Sequence, residues 1–373
     1  MPVPILFMDM RSNRKQNLFD KLGKLYGRTG FGKGLEKDDL VALKLHFGET
    51  GNITYIRPQF IRLLVDLVRK DGGKPFLTDA NTLYVGSRAN AVDHLEAAVK
   101  HGFDFAVVNA PLVIADGLKG KDYREIEVNL KHFKTVKIGS AVCDADALLC
   151  VTHFKGHEAT GFGGALKNIG MGLGSRSGKQ MMHSDILPTV DAQKCRGCGH
   201  CLEWCPTGAV KLSNVAGDSV VARIDEGECI GCGECTVTCS YGSIAINWKT
   251  EPDIIQEKIV EYAWGVLKDK IGKSVFISFV NNVTPDCDCC GWSDSPIVRD
   301  IGVLASVDPV ALDQACVDLV NAERGLAASR LGAKTDTPDK FRTLYPQIDW
   351  SRQLEYGEQI GLGTRNYTLV HIT

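Results

Sequence analysis

The sequence predicts an α/β protein: a parallel-sheet α/β body interrupted by a small, cysteine-rich α+β insert. Short apolar, β-rich runs alternate with helical periodicity on both sides of the middle of the chain, the βαβ rhythm of a parallel sheet covered by helices. Eight cysteines crowd between positions 195 and 239. With 373 residues, 44% of them hydrophobic, the chain is long enough for two or three domains and a sizeable core. The expected divisions are 1–186 for the first part of the body, 187–248 for the insert and 249–373 for the second part. Two separate α/β lobes are the alternative to one split body.

Taken in order, 40–47 reads as a strand and 58–71 as a helix that starts at Pro58 and stops at Gly72-Gly73. Residues 74–79 read as a strand, 88–101 as a helix, and 103–109 and 145–151 as further strands. Inside the insert, Val220-Val-Ala-Arg-Ile224 is a short strand. Beyond it, 254–268 is a helix, 275–280 and 302–306 are strands, and 309–324 is a helix with Asp308 as N-cap and Pro309 at its first position.

The cysteines repeat. Cys195, Cys198, Cys201 and Cys205 recur 34 positions later as Cys229, Cys232, Cys235 and Cys239. This C-x₂-C-x₂-C-x₃-C run resembles that of bacterial two-cluster ferredoxins, where three thiolates of one run and the fourth of the other hold each 4Fe-4S cluster. The resemblance implies Cys195, Cys198, Cys201 and Cys239 for cluster 1, and Cys229, Cys232, Cys235 and Cys205 for cluster 2. Zinc would prefer paired, separated hooks. Disulfides need an oxidising compartment, and the opening Met1-Pro-Val-Pro-Ile-Leu-Phe-Met has no export-leader pattern. Ser240 stands where a proline usually follows the last cysteine, which removes no ligand.

The 43 basic and 45 acidic residues nearly cancel, so no global field draws the chain to nucleic acid or an anionic membrane. No run approaches the ~18 apolar residues of a spanning helix. A cytoplasmic protein is expected, of the kind found in anaerobes, with an external electron donor or acceptor protein as partner.

Ligands of open parallel sheets bind beyond the carboxyl ends of the strands. Polar residues follow several predicted strands: His46 and Glu49, Asp79, Asn81 and Thr82, and His153, Lys155 and His157. Six glycines between Gly161 and Gly174 let the backbone approach a ligand, and Gly161, Gly163, Gly164, Lys167, Asn168 and Arg176 are the candidates for an anionic cofactor or small anionic substrate. Cys287, Cys289 and Cys290 place three soft thiols in one loop, a candidate third metal site for which His183, at the end of the stretch 153–183, is a further candidate ligand. Cys143, Cys150 and Cys316 read as core residues.

The segment 153–176, Asp79-Ala-Asn-Thr-Leu-Tyr84, Pro285-Asp-Cys-Asp-Cys289 and 300–313, together with the insert, resemble the iron-sulfur proteins of the domain of unknown function 362 family. That resemblance implies cluster binding and no assigned reaction. A more distant one, of His157, Gly161 to Gly164, Lys167 and His183, is to the lactate racemase family. It implies Lys167 as tether of a nickel-pincer cofactor, His183 as nickel ligand and His157 as acid/base. Three functions follow. The first is an iron-sulfur oxidoreductase, its catalytic candidates being His157, Lys167, His153, Asp79 and His46, with a substrate or third metal centre reduced in the pocket. The others are an electron carrier or cluster-handling protein, and a nickel-pincer isomerase.

Overall fold

Eight strands build one sheet. In the computed structural model, which describes residues 2–84, 86–183, 187–215, 219–229, 231–245 and 250–372, the strands are β1 (Val3–Asp9), β2 (Leu40–Lys44), β3 (Lys74–Asp79), β4 (Leu112–Ile114), β5 (Ala147–His153), β6 (Ser274–Val280), β7 (Gly302–Ser306) and β8 (Tyr367–His371). Their order is β8-β1-β7-β6-β5-β2-β3-β4. Only β7 runs against its neighbours; β2, β3, β5 and β6 are parallel. Both segments flanking the insert therefore supply strands to a single sheet.

Each central strand is buried on both faces. Ala147, Leu149 and Val151 of β5 point into one apolar cluster, and Leu148 and Cys150 into the other, as the two-residue period of a strand requires. Helices α1 (Leu18–Thr29), α2 (Pro58–Lys70) and α3 (Ala91–Lys100) cover the first face; α4 (Ala165–Leu173), α5 (Arg176–His183), α6 (Pro252–Leu267), α7 (Pro309–Ala322) and α8 (Ser351–Gln359) lie on the other. Asp308 caps α7 through Val310 N and Ala311 N, both at 2.9 Å.

Two expectations change. Residues 103–109 form no strand: Asp104 accepts the amides of Ala106 and Val107 and starts the short helix Phe105–Val108, and the edge strand follows at β4. The helix expected from 88 starts at Ala91, because Asn90 caps it and Arg88 is buried elsewhere. β1 and β8, the parallel pair at the opposite edge, carried no expectation.

The insert contains the hairpin Val210–Val215 with Ser219–Ile224 and two short helices, His200–Glu203 and Glu234–Thr238. The cysteine repeat is also a backbone repeat. Gly197, Gly199 and Gly208 have φ of 62°, 79° and 68°, and Gly231, Gly233 and Gly242, each 34 positions on, have 67°, 72° and 61°. Cys195 N donates to Asp191 O at 3.1 Å and Cys229 N to Asp225 O at 3.0 Å. The expected divisions at 186 and 248 fall on residues outside those described. A small apolar cluster of Cys201, Val210, Ala222, Cys235 and Ile244 belongs to the insert alone.

Candidate functional site: a cationic cleft beside two cysteine hollows

Because β2, β3, β5 and β6 are parallel, their carboxyl ends share one edge, and a cleft of about 470 Å³ opens there. Five cationic side chains, Lys44, Arg88, Lys155, Lys167 and Lys179, line it against two carboxylates, Asp79 and Glu158. His46, His157 and His183 complete the polar wall, and Met171, Ile255, Ile259 and Ile348 the apolar one.

Lys44 closes β2 with no exposed surface. Its ammonium meets Asp79 Oδ1 at 3.0 Å, Asn168 Oδ1 at 2.7 Å and the Leu45 carbonyl at 3.1 Å. Gly172 makes room for it, since a Cβ there would stand 2.7 Å from Nζ. Burial opposes the charge of Asp79, but Lys44, His94 and Arg88 hold its carboxyl below the usual value. Arg88 also donates to Glu49 at 3.1 Å, extending one buried chain of alternating charge. Such charges are tolerated inside only when paired.

His46 and His157 are held alike. Each Nδ1 accepts a backbone amide two residues on, from Gly48 at 2.9 Å and from Ala159 at 3.1 Å. The ring proton is thereby assigned to Nε2 in both. Burial, then neighbouring cations (Arg88 and Lys155 for His46, Lys167 and Lys155 for His157), push both far below the ordinary histidine value. They are neutral hydrogen-bond donors at physiological pH, not imidazolium acids. Burial likewise lowers His183 to about 3 and Lys179 to about 8. Asp116, the carboxylate nearest in charge to Lys179, is pushed up by burial to about 6.

The Cys287 loop docks behind Lys167. Gly156 N donates to Thr284 O at 2.8 Å, and Tyr345 holds the Pro285 carbonyl at 2.7 Å. A Cβ on Gly156 would lie 2.0 Å from that carbonyl oxygen, so only glycine allows the approach. Lys167 Nζ is then 3.5 Å from Cys287 Sγ. Burial works against the Lys167 charge, but the sulfurs of Cys287 and Cys289 keep the ammonium firmly protonated. Cys287 donates to Cys289, which with burial raises its own pKa. Cys289 gains from that bond; its bond to Cys290 and burial still lift it to about 11.

Other expected residues have structural partners. His153 Nδ1 lies 2.9 Å from Asp288 Oδ2 and its Nε2 3.0 Å from the Asn281 carbonyl, so both ring nitrogens are engaged and His153 does not line the cleft. Arg176 binds the Thr82 and Leu83 carbonyls. Gly161 packs on Trp350. Gly163, Gly164 and Asn168 do line the cleft, but Asn168 spends its amide on Cys150, Val151 and Thr152. The amides of Ala165 and Leu166 at the start of α4 do not face a ligand. They donate to the buried carboxylate of Asp313 at 2.7 and 3.0 Å. Lys44, Arg88 and Tyr84 are cleft residues that the sequence reading passed over; a lysine ending a wholly apolar strand was the available signal.

In the insert, Cys195, Cys198, Cys201 and Cys239 line one hollow, and Cys205, Cys229, Cys232 and Cys235 another. The fourth cysteine of each run thus sits with the other run. Ala222 N donates to Cys195 Sγ and Ser243 N to Cys239 Sγ, each at 3.3 Å. The second hollow abuts the body: Lys137 and Tyr123 bind Glu234 at 2.9 and 2.8 Å, and a Cβ on Gly233 would lie 2.3 Å from Gln180 of α5. Helix α5 also carries Lys179 and His183 to the cleft.

Among the described residues, no helix is long and apolar enough to cross a membrane. No curated protein matches this chain. Among solved structures, the lactate racemase apoprotein from Thermoanaerobacterium thermosaccharolyticum is similar at 14% identity and a TM-score of 0.36, covering 70% of this chain and 49% of its own, so this chain spans about half that structure's length. Residues 41–318 match the model of the family described as Domain of unknown function (DUF362), and with most of its length inside that match the chain belongs to this family.

Proposed function

We propose that the chain is an iron-sulfur redox enzyme that reduces an anionic substrate, or a further metal centre, in the cleft. Cys195, Cys198, Cys201 and Cys239 would hold one 4Fe-4S cluster, and Cys205, Cys229, Cys232 and Cys235 a second. The observation that carries this reading is the sorting of eight cysteines into two hollows of four, crossed between the runs. The amides aimed at Cys195 and Cys239 fit thiolates that carry charge. Bound there, the clusters would supply single-electron transfer. Helix α5 borders both, with Gln180 against Gly233 of the second hollow and Lys179 and His183 in the cleft, which favours an enzyme over a bare carrier.

Within the cleft the residues divide the work. Lys155 and Lys167 attract the anion, and His46 offers it an Nε2–H donor, with His157 on the same wall. Lys179, lowered by burial to about 8, is the cleft cation best matched to giving up a proton near neutral pH. Burial excludes water from much of this wall and strengthens each interaction.

Anaerobic purification with iron and sulfide analysis tests the reading. Two cubanes require ~8 iron atoms per chain. Cys205→Ser and Cys229→Ser should abolish the same electron paramagnetic resonance signal, and Cys195→Ser and Cys239→Ser the other. Grouping of Cys205 with Cys195, or wild-type protein without iron, refutes it. His157→Ala and Lys179→Met should leave both signals intact while slowing reoxidation by anionic acceptors; unchanged reoxidation would make the protein a carrier.

A further inference from the structure

One group of soft donors lies outside the two hollows. Among the described residues, single ligand atoms of His157, Cys287 and Cys289 fall within 4.8 Å of one another. We infer that these three side chains bind one borderline-soft divalent ion of the zinc class, with an open coordination position toward the cleft. The inference deepens the reading above, since it names the further metal centre of the cleft. Its binding claim stands without the clusters.

The loop is built to hold these donors. Asp288, between the two cysteines, is fully buried and pinned by His153 at 2.9 Å, Lys155 at 3.4 Å and Thr54 at 3.2 Å. Tyr84 holds the Cys289 carbonyl at 3.1 Å, and Glu49 N the Asp288 carbonyl at 2.9 Å. With the loop fixed on both sides, Cys287 and Cys289 are left to face one another. Cys290 does not join them: its amide closes a turn on the Cys287 carbonyl at 2.9 Å, and its sulfur is outside the group. His183, the ligand expected from sequence, is also outside it, although it lines the same cleft.

Two sulfurs and one imidazole are a donor set that zinc accepts with a fourth position left for water or substrate. Binding displaces the two thiol protons, and two thiolates neutralise a divalent charge. Lys167, 3.5 Å from Cys287, then serves as an outer hydrogen-bond donor to a metal thiolate. His157 must surrender the 3.1 Å contact from Ala159 N–H and carry its proton on Nδ1 when Nε2 takes the metal. Cys289 and His157 both line the cleft, so the open position faces the space an anionic oxygen would enter. There the ion would hold and polarise that oxygen.

The test is equilibrium dialysis of cluster-loaded protein against buffered zinc, with elemental analysis and X-ray absorption at the zinc edge. Wild type and Cys290→Ser should each retain one zinc per chain, with two sulfurs and one nitrogen around it. Cys287→Ser/Cys289→Ser and His157→Ala should lose that zinc and keep their iron. Absence of zinc from wild type, a first shell without two sulfurs, or equal loss in Cys290→Ser overturns the assignment. The wild-type absorption spectrum decides the matter even if a variant fails to fold. Loss of iron from these variants would also overturn it, whereas iron-free wild type that still binds zinc counts against the clusters alone.

Discussion

Gly156→Ala tests how the Cys287 loop reaches Lys167. The added methyl would meet the Pro285 carbonyl oxygen at 2.0 Å and its carbon at 2.7 Å. Optimal non-bonded spacing is ~3.5 Å, so loop and strand must part by about 1.5 Å. Overpacking of that kind costs ~1–3 kcal/mol. The separation also breaks the Gly156–Thr284 bond of 2.8 Å and strains the Tyr345–Pro285 bond of 2.7 Å. At ~1 kcal/mol each, the total is about 3–5 kcal/mol. Urea titration should show the fall as a lower midpoint at unchanged slope. Anaerobic thiol labelling read by mass spectrometry should show Cys287 and Cys289 newly reactive. Gly27→Ala is the control: it lies in α1 with nothing within 4 Å of the new Cβ, and alanine should stabilise that helix by ~0.8 kcal/mol. A wild-type midpoint with both thiols still protected in Gly156→Ala would refute this account of the loop.

Three further outcomes follow from the buried charges. Lys44→Met leaves Asp79 without its nearest cation and should cost ~3–5 kcal/mol, much of it recovered in Lys44→Met/Asp79→Asn; simple additivity in the urea midpoints would break the pairing argument. Burial raises Asp313 from its ordinary value to about 7, so folding favours its protonated form. Between the unfolded value of ~4 and about 7 the folded state binds the extra proton, and stability falls as pH rises through that window. Asp313→Asn should remove this contribution, and an unchanged difference between wild type and variant across the window would contradict it. In zinc-free protein, imidazole nitrogen resonances of His46 and His157 should report neutral rings protonated at Nε2 to well below the ordinary histidine range, because burial and nearby cations disfavour the charge; ordinary titration near pH ~6.5 would exclude that environment.

The legible parts of the sequence were those where local chemistry repeats or alternates. β3 and β7 carry the bounds expected from apolar runs punctuated by glycine and polar turns. Asp308 followed by Pro309 announced α7 because capping is local. Asp104 showed the limit of that signal: the same capping chemistry opened a four-residue helix within an apolar run that alternation reads as strand. β1 and β8 were invisible for a different reason. Their pairing joins the two ends of the chain, Val3 to Tyr367, and no periodicity encodes a partner so distant.

Within the site, strand-end reasoning pointed to His46, Asp79 and His157, since a parallel sheet must gather its carboxyl ends on one edge, and the glycine-rich stretch pointed to Lys167; all four line the cleft. It could not separate ligand-facing groups from structural ones. Asn168, His153 and the α4 amides look alike in sequence, and each is consumed by a neighbour that folding delivers: Lys44, Asp288 and Asp313. Lys44 and Arg88 were missed because buried charge contradicts local expectation until its partner is in place.

By itself the sequence determined the alternating α/β body, the 34-residue cysteine repeat and the family, because spacing and period are properties of the chain. Only the tertiary structure decided that both flanking segments complete one sheet, that the fourth cysteine of each run faces the other run's hollow, and that His157 meets Cys287 and Cys289. The physical reason is that each of these is a contact between residues far apart in the chain. Burial, charge pairing and the space left by Gly156 choose among such contacts, and those forces act only once the chain has closed around them.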